Sequence, residues 1–96
     1  VQAFKDTLRL AAVSAYSGPP LDGALGAEIA FVFPAKRKER TPKATKPDCD
    51  NLAKGVLDAL NGLLYRDDGQ VAELTVRKWH AGKDEQTHVS VKIWKL

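Results

Sequence analysis

The sequence predicts an α+β fold: a small mixed or antiparallel sheet covered by two helices, in a single domain over residues 1–96. Three observations predict it. Two stretches carry the apolar period of a helix, an apolar segment with strand alternation lies between them, and two further alternating segments close the chain. At 96 residues the chain is long enough for one core and too short for two.

Phe4, Leu8, Ala11, Ala12 and Ala15 recur at i, i+4, i+7, i+8 and i+11, which predicts an amphipathic helix over 2–16, stopped by Gly18-Pro19-Pro20. Residues 27–33 alternate through Ile29, Phe31 and Phe33. Ala30 and Val32 make the other face apolar too, so this strand is expected to be central. Residues 34–47 have no period and read as a long surface loop. Leu52, Val56, Leu57, Leu60 and Leu64 form one face of a second helix, starting near Asp50 or Asn51 and ending at Asn61-Gly62. After the turn signal Asp67-Asp68-Gly69, residues 71–79 and 87–95 read as two strands flanking a turn that contains Gly82, hence a hairpin. In the second of them Val89, Val91 and Ile93 face one way and His88, Ser90, Lys92 and Trp94 the other.

Composition narrows the function classes. With 44% hydrophobic and 28% charged residues the chain is of ordinary globular type, and no apolar run approaches the ~18 residues of a membrane span. Cys49 has no partner for an internal disulfide, and no signal peptide is recognisable, so the expected setting is the reducing cytoplasm. The chain opens directly into a helical pattern without a methionine, which suggests that an N-terminal segment is missing. The net charge of +3 is unevenly placed. Lys36, Arg37, Lys38, Arg40, Lys43 and Lys46 are opposed locally by Glu39 alone, whereas Asp48, Asp50, Asp58, Asp67 and Asp68 crowd the next stretch. A basic loop beside an acidic cluster suits a protein that holds a phosphate backbone and a divalent cation together. A solvated loop followed by a capped helix gives the same pattern.

The informative segment is Lys46-Pro47-Asp48-Cys49-Asp50-Asn51-Leu52-Ala53-Lys54. Its carboxylates read either as helix-cap and turn formers or, joined by Asp67-Asp68, as hard oxygen ligands. The chain from Gly62 to Asp67 is long enough to fold back along the helix. Asp67 or Asp68 is therefore expected to meet Asp48 and Asp50 within one subunit. Three such donors suit magnesium or manganese, which keep waters and accept phosphate oxygens. Lys54, one turn after Asp50 and one before Asp58, is either the centre of two helix ion pairs or a cation for a bound phosphate. Cys49 reads as a packed side chain. His80 and His88 lack zinc spacing, and no glycine-rich phosphate loop or serine–histidine nucleophile signature is present.

That segment, followed by Asp58-Ala59-Leu60-Asn61-Gly62 and Tyr65-Arg66-Asp67-Asp68-Gly69-Gln70-Val71, resembles the RusA-type Holliday junction resolvases over about a quarter of the chain. These are small dimeric endodeoxyribonucleases of bacteria, their phages and prophages. The resemblance implies magnesium-dependent hydrolysis of DNA at four-way junctions, in the service of recombination and repair. It also implies metal ligation by Asp48, Asp50 and Asp68 and a catalytic need for Lys54. Such proteins begin with a strand and a short basic segment ahead of the first helix, which this sequence lacks. Phosphate contacts are expected from Lys36, Arg37, Lys38, Arg40, Lys43 and Lys46. Paired cuts in a two-fold junction call for a homodimer. Two rivals stand beside this expectation: a non-catalytic junction binder, and a phage nuclease for other branched DNA.

Overall fold

The computed structural model describes residues 2–96. Its elements run α1 (Gln2–Ala15), β1 (Leu25–Phe33), β2 (Thr41–Pro42), α2 (Cys49–Leu60), a 3-10 turn (Asp68–Gln70), β3 (Val71–His80) and β4 (His88–Lys95). The four strands form one mixed sheet in the order β2-β3-β1-β4, an α+β architecture as the sequence predicts. β1 is parallel to β3 and antiparallel to β4, with Ile29 opposite both Val76 and Val91. Within the basic loop, Thr41 and Pro42 pair with His80 and Trp79, a short edge strand where a structureless loop was expected.

The hairpin expected from 71–79 and 87–95 does not form, because β1 lies between the two strands. β1 is the most apolar strand, with Leu25, Ala27, Ile29, Phe31 and Val32 all buried, and the central position satisfies its backbone on both edges. The connection after β3 must therefore cross two inter-strand spacings, roughly 9.6 Å, too far for a two-residue turn. It passes over the end of β1, where the Ala81 N–H donates to the Phe33 carbonyl at 2.9 Å.

The core lies on one side of the sheet. Val56 and Leu60 of α2 and Ala12 of α1 pack with Leu25, Ile29, Phe31 and Tyr65, flanked by Val76, Val89, Val91 and Ile93. Truncating a fully buried side chain of this kind costs ~2–5 kcal/mol, against a total stability of ~5–15 kcal/mol, so α2 is held firmly in register. Gly62 follows the helix with φ +81°, the left-handed conformation that ends helices cheaply. The opposite sheet face carries charged and aromatic side chains. There Glu28 pairs with Arg77 and Lys92, and Trp94 lies across Gly26, its neighbour on β1.

Candidate functional site

β1, α2 and β3 make a β-α-β unit, so the start of α2 and the end of β3 lie together. Two contacts fix this. The Cys49 thiol reaches the Val76 carbonyl at 4.0 Å, and the Lys78 ammonium donates to the carbonyls of Thr45 and Pro47 at 2.7 and 2.8 Å. Cys49 is thus the packed side chain the sequence suggested. Lys78 was missed. It shares the core-side register of Leu74, Val76 and His80, and a lysine on that face is the sequence signal that it must reach across to an acceptor. It ties down the loop one residue before Asp48.

The helix starts earlier than expected, with Asp48 rather than Asp50 or Asn51 in the N-cap position. Its backbone is extended, at φ −76° and ψ 146°, and its carbonyl accepts the first helical bond from the Leu52 N–H at 3.1 Å. Its carboxylate makes no capping hydrogen bond and meets the Lys46 ammonium at 2.8 Å instead. Asp50 lies inside the first turn, exposed, and accepts from the Asn51 N–H at 2.9 Å. The cap explanation therefore leaves Asp48 unexplained. The helix ion pairs allowed by the spacing of Asp50, Lys54 and Asp58 are also not found among the described residues, and the Lys54 side chain is exposed.

After α2 the two later aspartates divide their roles. Asp67 caps the 3-10 turn, accepting from the Gly69 N–H at 3.2 Å, while the Gln70 side-chain oxygen accepts from the backbone N–H groups of Arg66 and Asp67. The same Gln70 amide donates to the carbonyls of Leu21 and Gly23, pinning the turn beside the start of β1. Asp68 takes no part in that box. Tyr65 beneath it is fully buried and donates its hydroxyl to the Leu57 carbonyl at 2.7 Å. Burial, reinforced by the negative charges of Asp68 and then Asp58, pushes its pKa well above the usual range.

The three aspartates expected to share a metal do not converge in one chain. Asp68 opens the 3-10 turn that leads into β3, whereas Asp48 and Asp50 flank Cys49, which reaches Val76, and Asp48 follows Pro47, which Lys78 holds. The 12 residues of α2 span ~18 Å between the two ends. Among the described residues no three His, Cys, Asp or Glu side chains are gathered to hold a metal ion. The return segment is long enough to fold back along α2, but its buried Tyr65 and the Gln70 bonds hold it at the far end. The donor set suits a hard divalent cation in its chemistry, but the fold sets Asp68 apart from Asp48 and Asp50.

The basic loop is partly occupied by the protein itself. Arg40 grips Glu85 through its Nε and Nη2 atoms and lies 5.5 Å over the Trp79 ring. Lys43 lies 5.2 Å from the Phe33 ring centre and donates to Thr45. Lys36, Arg37 and Lys38 are exposed. His80 at the edge of this loop has its pKa lowered by burial and then by the charges of Arg37 and Lys43, which marks the local potential as positive. No helix among the described residues is long and apolar enough to cross a membrane.

The family model described as "Endodeoxyribonuclease RusA" matches residues 1–93. Among curated proteins the chain is similar to the "Uncharacterized protein YqaN" of Bacillus subtilis (strain 168), 48% identical over 63 residues that cover 60% of this chain and 42% of that protein. The chain thus spans less than half the length of this relative.

Proposed function

This chain belongs to the RusA endodeoxyribonuclease family, and from that premise we propose that it is a structure-specific endonuclease resolving Holliday junctions by paired phosphodiester hydrolysis in the cytoplasm. The observation that carries the proposal is Asp48. A carboxylate at the head of a helix would normally accept a helix N–H, and this one is left for other work. Asp48, Asp50 and Asp68 are the residues that would hold magnesium, or manganese in its place. Such a metal supplies a counter-charge to the phosphate and a more acidic water. Because Asp68 stands at the far end of α2, the full ligand set requires two copies, Asp48 and Asp50 from one and Asp68 from the other. A homodimer then serves both the site and the symmetry of the junction.

The chain's own residues have separable tasks. Lys54, exposed one turn from Asp50, faces the same solvent and neutralises phosphate charge as the bond breaks. Lys36, Arg37 and Lys38 hold backbone phosphates. Lys46 screens Asp48 until a phosphate or cation competes for it.

The reading is tested by incubating the protein with a labelled four-way junction and with a matching linear duplex, with and without magnesium. Magnesium-dependent cutting confined to the junction is expected. Binding without cutting under all metal conditions would establish the rival junction binder, and equal cutting of the duplex would establish a general nuclease.

Lys78→Met keeps the apolar stem but removes the donor that holds Thr45 and Pro47. Junction affinity should hold, while cleavage should fall by about tenfold to a hundredfold, since displacements near 1 Å at a reacting group have effects of that order. Unchanged cleavage in a titration of this variant would show that the loop anchor does not position Asp48.

A further inference from the structure

Between the basic loop and the connection from β3 to β4 lies a cleft of about 530 Å³, lined by Lys36, Arg37, Lys38, Lys83, Asp84 and Glu85. Resting on the proposed DNA-cutting function, we infer that this cleft receives a DNA backbone phosphate, that Lys83 is one of its contacts, and that Arg40 is the strut holding it open rather than a phosphate ligand.

The strut is built from both walls. Glu85 accepts from Arg40 on one side and from the Gly82 N–H at 3.0 Å on the other, so one carboxylate ties the basic loop to the crossing segment. Those bonds, Arg40 first, hold the Glu85 pKa down at about 2, while the Glu85 bond raises that of Arg40. The pair therefore stays ionised throughout the pH range in which DNA is handled. The two backbones also touch. A Cβ on Gly82 would stand 2.8 Å from the Arg40 nitrogen and 3.1 Å from the Glu39 carbonyl carbon, so only glycine permits this approach.

Charge counting then decides what the cleft attracts. Glu85 is neutralised by Arg40, which removes both from the count. Lys36, Arg37, Lys38 and Lys83 face Asp84 alone, a net of three positive charges around a space large enough for a phosphate and its sugar. Asp84 sits at φ 63°, where asparagine and glycine are also comfortable, so its charge is removable without strain. Lys83 has no counterpart in the basic run at 36–46. Its position forty residues away in sequence hid it, and the strut brings it alongside.

The test measures affinity for a four-way DNA junction across a salt series without magnesium, with melting curves confirming folding. Lys83→Gln should flatten the plot of log affinity against log salt by about 0.9, one phosphate contact. Asp84→Asn should tighten binding at every salt concentration. A Lys83→Gln slope equal to the parent's would overturn the assignment while leaving the junction reading intact. A parent that shows no salt-dependent DNA binding would overturn that reading and the cleft with it.

Discussion

Asp50→Asn should yield a folded protein that binds a four-way junction without magnesium at least as tightly as the parent, yet cuts it slower by orders of magnitude. The structure sharpens why the two quantities separate. Asp50 is not the helix cap, since that position belongs to Asp48. The substitution therefore leaves the start of α2 in place and forfeits only a favourable charge in the first helical turn, ~0.3–1 kcal/mol at an exposed site. Asparagine still offers an oxygen to the Asn51 N–H. What changes is the charge facing DNA, which becomes less repulsive to phosphate, and the donor strength toward a hard cation, which drops. Binding should improve or hold, and hydrolysis should fail. Near-normal cutting by a variant with an unaltered melting curve would remove Asp50 from the active site.

How much of this was legible in the sequence depends on the range of the interaction involved. Both helices, the centrality of β1 and the two-faced pattern of β4 follow from local periodicity, and the structure bears them out. The supposed hairpin failed because strand neighbours are chosen by which strand most needs two partners, a comparison among β1, β3 and β4 that no local window contains. The same limit governed the site. Residue type singled out Asp48 and Asp68, but chain length alone does not decide whether they meet. Buried Tyr65 and the Gln70 bonds to Leu21 and Gly23 decide where the chain actually goes. The distinction between Asp67 and Asp68 was likewise invisible until the turn geometry assigned Asp67 to capping. Lys78 and Glu85 bond partners between thirty-one and forty-five residues distant, and Lys83 lines a cleft with Lys36 and Arg37, still further away in sequence, so only the fold reveals them.

A site divided between two copies makes a prediction that a self-contained site cannot imitate. Asp48→Asn and Asp68→Asn should each be inactive alone, since every site in either homodimer lacks a ligand. Mixed and allowed to exchange, they form heterodimers in which the site built from the first variant's Asp48 position and the second's Asp68 position carries both lesions. The other site takes its Asp48 and Asp50 from the Asp68→Asn chain and its Asp68 from the Asp48→Asn chain, and is whole. Half of the dimers in an equal mixture are heterodimers, so about a quarter of the parental sites return, one to each heterodimer. The product is equally diagnostic: a single intact site nicks one strand of the junction, so nicked molecules should accumulate in place of paired cuts. If each chain instead completed its own site, every chain in the mixture would carry one lesion and no activity would return. A mixture shown by native mass spectrometry to contain heterodimers, yet unable to nick, would place all three aspartates in one subunit and require the turn at Asp68 to leave the position that Tyr65 and Gln70 give it.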